Sequence, residues 1–345
     1  MSKQRVVVVC PGRGTYNKEE LGYFRRHHSD KGRILDVIDT LRHQQGQMPI
    51  AELDAMAQYQ MKLHTAGENA SALIYACARG DFEAIDRKKY EIVAVTGNSM
   101  GWYIALAVAG ALGDEQAIEL INGMGTLMGE NLIGGQLIYP LFDENWREDA
   151  AMRAMVMQHM AEVNEQEGAE VYPSIFLGAY LVIGGNNAGL KALEAKLPRL
   201  QDTYPMRLFN HGAFHTPLLT DIAAKARTML GKSLFAKPSL PMIDGQGRIW
   251  QPHSTNLDAL YQYTLDTQVV APYDYGKAIE VSIKEFAPDK LIILGPGATL
   301  GGATAQCLIR HRWQDLSSKA DFIARQKSDP LILAMGMADQ RALAV

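Results

Sequence analysis

Residues 91–112 read Glu91-Ile-Val-Ala-Val-Thr-Gly97-Asn-Ser99-Met-Gly101-Trp-Tyr-Ile-Ala-Leu-Ala-Val-Ala-Gly-Ala-Leu112. The first six residues form a short apolar run suited to a buried strand. The last nine are small and apolar, a pattern that predicts a buried helix. Between them lies Gly-x-Ser-x-Gly, and strand, tight turn and helix are the setting in which that motif presents a nucleophile. Ser99 would occupy a strained turn at the carboxyl end of the strand. Gly97 and Gly101 would leave space where a side chain would collide. Free backbone N–H groups at the start of the helix could then hold a negative oxygen.

The elements around this turn predict an α/β protein. Arg5-Val-Val-Val-Val-Cys10 is an unbroken β-branched run, expected as a central parallel strand. It ends in Pro11-Gly12-Arg13-Gly14-Thr15, a glycine-rich turn that lacks the Gly-Lys-Ser/Thr ending of a phosphate loop. Residues 66–80 read as a buried helix, preceded by His64 as a capping or surface residue. Lys290-Leu-Ile-Ile-Leu294 reads as a further buried strand and runs into Gly295-Pro-Gly297. From 134 to 209 the order changes to β-α-β-β-α-β, that of a ferredoxin-like unit. Methionines 152–160 fall on its first helix and read as core filler. The tail from about 317 is polar and then apolar, expected as an extra strand or helix.

The chain has 345 residues, 47% of them apolar, and a net charge of −4. That is enough for a sizeable core. It carries no charge excess that would select nucleic acid or an anionic membrane. No apolar run reaches the roughly 18 residues needed to cross a bilayer. The N-terminus lacks a signal-peptide layout. Arg25-Arg26-His27-His28 is short and reads as solvated surface, and the Gln-rich stretch His43-Gln-Gln-Gly-Gln47 reads as exposed. Cys10, Cys77 and Cys307 show no metal spacing and read as free buried thiols of a reducing compartment. The expectation is a cytoplasmic protein that partners neither nucleic acid nor membrane.

A serine nucleophile needs a base. Asn210-His-Gly-Ala-Phe-His-Thr-Pro-Leu-Leu219 places His215 just before a helix that opens with Thr216 and Pro217, residues suited to a cap and a first turn. His215 is the candidate base, and His211 reads as peripheral.

Four landmarks in this order resemble the malonyl-CoA:acyl carrier protein transacylase family and the related acyltransferase domains of polyketide and fatty-acid synthases. Pro11-Gly12-Arg13-Gly14 is similar to that family's Pro-Gly-Gln-Gly. Gly97-Asn-Ser-Met-Gly-Trp-Tyr103 is similar to its Gly-His-Ser-Leu-Gly-Glu-Tyr. Gly212-Ala-Phe-His-Thr-Pro-Leu-Leu219 resembles its histidine motif, and Gly295-Pro-Gly297 its late Gly-Pro-Gly. The resemblance implies a hydrolase-like α/β domain with a mostly parallel sheet, covering 1–132 and 210–345. It also implies a small inserted ferredoxin-like α+β domain at 133–209, with the site in the cleft between the two. It assigns Ser99 as nucleophile and His215 as base, with the backbone carbonyl of Gln268 orienting the histidine. Main-chain N–H groups of Arg13 and Met100 would form the oxyanion hole. It implies no bound cofactor, acyl-CoA as donor and acyl carrier protein as partner. The alternative on the same serine and histidine is an acyl-thioester hydrolase.

The sequence departs from the family around the acyl group. Malonyl-specific members pair the malonyl carboxylate with an arginine on the helix after the serine. Counting 25 positions on from Ser99 reaches Met124. A carboxylate facing methionine would be buried and unpaired, which is costly. An apolar acyl group fits Met124, unless Arg13 supplies the charge instead. Asn98 and Phe214 flank the serine and histidine as further acyl-pocket candidates. Trp102 either lines that pocket or packs. Gly178-Ala179 stands where relatives carry an Asn-containing turn.

Overall fold

In the computed structural model residues 2–130 and 132–345 are described; Met1, part of the N-terminal reading above, and Asn131 lie outside them. Among the described residues eleven strands form two sheets. They are β1 (Gln4–Cys10), β2 (Tyr90–Gly97), β3 (Gly135–Pro140), β4 (Val171–Leu177), β5 (Tyr180–Gly185) and β6 (Met206–Arg207). The chain continues with β7 (Met242–Ile243), β8 (Ile249–Trp250), β9 (Tyr273–Asp274), β10 (Lys290–Ile293) and β11 (Ile332–Ala334).

The first sheet has six strands in the order β11-β10-β1-β2-β7-β8. Every pairing is parallel except β7 with β8. Strand β1 is central, and Val6 to Val9 are fully buried because helices cover both faces of the sheet. Each such side chain contributes about 1.5 kcal/mol or more. The tail supplies both a helix (Lys319–Ser328) and the edge strand β11. No helix among the described residues is long and apolar enough to cross a membrane.

The second sheet has five strands in the order β6-β3-β5-β4-β9. Strands β3 to β6 and the helices Ala150–Asn164 and Asn187–Lys196 follow one another as β-α-β-β-α-β. Their neighbouring strands are all antiparallel. Val156, Met160 and Val163 bury one face of the first helix in a separate core, whereas Met157 points to solvent. The sheet does not end with this unit: β9, far along the chain, joins β4 in parallel. Two residues are too few to show a period in sequence, and β9 is what ties the second sheet to the site.

Several polar residues that read as surface are buried. His28 is fully buried, and its Nε2 lies 2.8 Å from Asp81. Asp81 also accepts from Tyr23 Oη, from the Gly295 N–H and from Arg341. Burial alone would raise the Asp81 carboxyl, but His28 and Arg341 outweigh it and hold it below its usual range. This hub fastens the C-terminal helix Ala338–Ala344 and the Gly295-Pro-Gly297 turn to the helix Gly67–Ala84. His64 is buried as well, bonded to Leu53 O and Gln60 and stacked between Tyr16 and Tyr59. The Gln-rich stretch is exposed as expected except for half-buried Gln47, yet it braces the helix Asp114–Glu130: Gln45 and Gln47 both accept from Asn122, and Gln47 donates to Thr126.

Removing one partner of a buried ionic cluster leaves the others uncompensated. Asp81→Ala is expected to cost about 3–5 kcal/mol, read as a lowered urea midpoint with unchanged slope.

Candidate active site

The turn after β2 has the geometry of a nucleophile elbow. Ser99 has φ 56°, a left-handed conformation that non-glycine residues rarely hold. A Cβ on Gly97 would collide with the Gly101 backbone, and one on Gly101 with the carbonyl of Cys10. The turn therefore exists because strand, turn and the helix Gly101–Val108 approach closer than any side chain allows. The helix itself is entirely buried.

Ser99 Oγ lies 2.7 Å from His215 Nε2 across 116 positions of sequence. His215 Nδ1 lies 2.6 Å from the backbone carbonyl of Gln268. A carbonyl only accepts, so Nδ1 carries the hydrogen and Nε2 presents a lone pair to the serine hydroxyl. His215 also has positive φ, 56°, on a loop held at several points. The Thr216 hydroxyl does not cap the following turn but donates back to Ala213 O. Ser174 Oγ of β4 donates to Phe214 O and accepts from Gln136 Nε2. His211 Nδ1 donates to Gln136 Oε1 at 2.8 Å, so His211 belongs to this brace and is not peripheral. The Gln268 side chain closes the set: its Nε2 donates to Ser99 O and its Oε1 accepts from Tyr103 Oη. Tyr273 of β9 donates to Gly97 O and stands 5.5 Å from the His215 ring. Tyr103 closes the serine motif, but nothing local marks it as the partner of Gln268, and Tyr273 lies in no motif at all.

Burial lowers the His215 imidazole to about 4, the Gln268 hydrogen bond opposing it in part. The ring is therefore neutral at pH 7 and can accept a proton. The main-chain N–H groups of Arg13 and Met100 donate to no acceptor among the described residues, and both residues line the cavity that holds Ser99 and His215.

That cavity is also lined by Ile121, Met124, Met128, Phe214 and Val269. Of the four acyl-pocket candidates, Met124 and Phe214 line this cavity. Trp102 and Asn98 do not. Trp102 is fully buried, with Nε1 donating to Thr264 Oγ1 and its ring edge-on to Tyr263. The first turn of the helix rotates it away from the cavity into the core. Asn98 is buried beside Gly12, its backbone N–H bonded to Cys10 O. The Gly178-Ala179 turn packs on the helix Leu300–Arg310, with Ala179 N–H donating to Gln306, and does not line the cavity. Among the described residues no three His, Cys, Asp or Glu side chains cluster as a metal site.

No protein-family model matches the chain. Two fungal non-reducing polyketide synthases do: Preu6 of Preussia isomera, 26% identical over 183 residues, and nscA of Arthroderma benhamiae, 30% identical over 197. The matches cover 50% and 55% of this chain but only 8% and 10% of those synthases, so the chain spans about a tenth of its curated relatives. The whole fold is that of known acyltransferases. A malonyl-CoA:acyl carrier protein transacylase from Xanthomonas oryzae pv. oryzae superposes with a TM-score of 0.75 at 18% identity, over 100% of this chain and 98% of that one. A malonyl-transacylase solved in complex with its type II polyketide synthase acyl carrier protein gives 0.74 at 18% identity, covering 99% of each chain. The acyltransferase domain from the second module of the salinomycin polyketide synthase gives 0.69 at 21% identity, over 98% of this chain and 70% of that one. The α/β architecture is therefore the one these enzymes share.

The neutral imidazole yields a pH prediction. A fluorophosphonate should label Ser99 with an acid limb near pH 4, and not near the 6.5 of a free imidazole. The sign for stability follows from a folded value below the unfolded one. The contribution is complete above about pH 6.5 and is lost as pH falls toward 4. His215→Ala should abolish the labelling.

Proposed function

We infer that the chain is an acyltransferase that moves an acyl group from coenzyme A to the phosphopantetheine thiol of an acyl carrier protein, through an ester on Ser99. The observation that carries this reading is the single line Ser99 Oγ, His215, Gln268 O, with distances of 2.7 and 2.6 Å. The shared fold of transacylases supports it.

In the first half-reaction His215 Nε2 takes the Ser99 proton as Oγ attacks the thioester carbonyl. The Arg13 and Met100 N–H groups hold the oxyanion. Collapse expels the coenzyme A sulfur, which takes the proton from the His215 imidazolium. In the second half a carrier thiol gives its proton to Nε2, and its sulfur attacks the ester. Oγ leaves and recovers the proton. Gln268 O stabilises the imidazolium in both halves. The chemistry needs no bound cofactor, because coenzyme A enters as part of the donor. A cytoplasmic setting goes with these partners.

The test uses acyl-CoA labelled in the acyl group. Label should survive on Ser99 after quenching and pass to a holo-carrier protein. Ser99→Ala should reduce transfer at least about a thousandfold. Label released mainly as free acid in the presence of carrier would show a hydrolase instead.

A further inference from the structure

Resting on that reading, we propose that the Arg13 side chain is the seat of a carboxylate on the acyl group, so that the donor is a carboxyacyl thioester of the malonyl class. Arg13 lines the same cavity as Ser99 and His215. It is the only Lys or Arg to do so among the described residues. The polar side chains around it are already engaged: Ser71 Oγ donates to Gly67 O, Tyr103 to Gln268, and Gln268 to Ser99 O.

The guanidinium is held on one side and open on the other. Its Nη2 donates to Thr65 O at 3.0 Å and to Asn210 O at 3.1 Å. Its carbon lies 5.3 Å from the centre of the Phe214 ring. Nε and Nη1 have no acceptor among the described residues, and no carboxylate lies within ion-pair distance. Burial lowers the group to about 10, Glu68 acting against this from a distance, so it stays charged at neutral pH. His211 beside it is neutral, lowered to about 3 by burial and then by Arg13 itself. A half-buried guanidinium with free N–H donors and no counter-charge is a ready seat for an anion. Its planar fork matches a carboxylate. The helix wall at Met124 offers no cation, so the charge comes from the loop after β1.

Arg13 also borders a groove of about 830 Å³ along Ala66–Glu68 and the end of the helix Asp114–Glu130. A phosphate of the thiol carrier could reach it from there, and the experiment separates the two anions. Ser99 acylation is measured with malonyl and acetyl groups, each carried on coenzyme A and on phosphate-free N-acetylcysteamine. Arg13→Gln places there the residue of the resembling family, so the backbone accepts it, and Arg13→Lys keeps the charge. The readout is the malonyl-to-acetyl ratio of kcat/KM within each protein. We expect wild type to favour malonyl. Arg13→Gln should lower the ratio about tenfold or more on both carriers, and Arg13→Lys should retain part of it. An unchanged ratio, or a wild-type preference for acetyl, overturns the proposal. So does a loss that follows coenzyme A whatever the acyl group, which assigns the guanidinium to phosphate. If neither acyl group reaches Ser99, the acyl-transfer reading itself fails.

Discussion

The hydrogen bond from His215 Nδ1 to the Gln268 carbonyl, 2.6 Å long, is what the rest of the site depends on. It sets the tautomer, and with it the lone pair on Nε2. Its acceptor is neutral, and that matters electrostatically. A carboxylate in that place would favour imidazolium and raise its pKa. A carbonyl favours it only weakly, so burial prevails and the base stays neutral. Gln268 follows a five-residue π-helix, Tyr263–Thr267, a widening that recurs at functional sites. Thr264 and Tyr263 of that turn hold Trp102 on the nucleophile helix. Trp102 therefore acts on the site from behind, by fixing the segment that carries the carbonyl.

The loop bearing Arg13 is positioned by a different part of the chain. Gly297, with φ 71°, packs so closely under it that a Cβ would stand 2.6 Å from Thr15 O. Gly295, two residues before, is bonded to Asp81, and Asp81 to the C-terminal helix through Arg341. The late Gly-Pro-Gly turn contributes no group to the cavity. It sets the height of the loop that carries Arg13, which gives that landmark a physical reason.

What could be read from sequence was whatever depends on local pattern. The parallel strand at Arg5 to Cys10, the strand-turn-helix around Ser99 and the β-α-β-β-α-β order each follow from periodicity or turn chemistry. Ser99 and His215 stand in such turns, and the structure brings them together. Gln268 came only by resemblance, because its role lies in a main-chain carbonyl that any residue could supply. Asn98 misled because adjacency in the chain is not adjacency in the cavity, and of the two readings of Trp102 packing is the one found, because one residue into the helix Gly101–Val108 a side chain already faces elsewhere. His28 and His64 misled because polar residues are surface by default. Their partners, Asp81 and Leu53 O, lie 53 and 11 positions away, and no pattern announces such pairs.

The position of the cation has a consequence for how selectivity would operate. An arginine on the helix after the serine sits on a rigid wall, and its pairing with a carboxylate is independent of the oxyanion donors. On the proposed reading Arg13 would join the two functions in one residue, its N–H serving the oxyanion and its guanidinium the acyl carboxylate. On the carboxyacyl reading, docking the substrate charge on the side chain also tensions the loop that carries the N–H. Binding energy from a part of the substrate that does not react is then used at the reacting carbonyl. A substrate without the carboxylate would lose rate as well as affinity, because the same loop serves both. The hydrogen bonds from Nη2 to Thr65 O and Asn210 O limit how far the guanidinium can move, so on this reading the loop and not the side chain must follow the substrate.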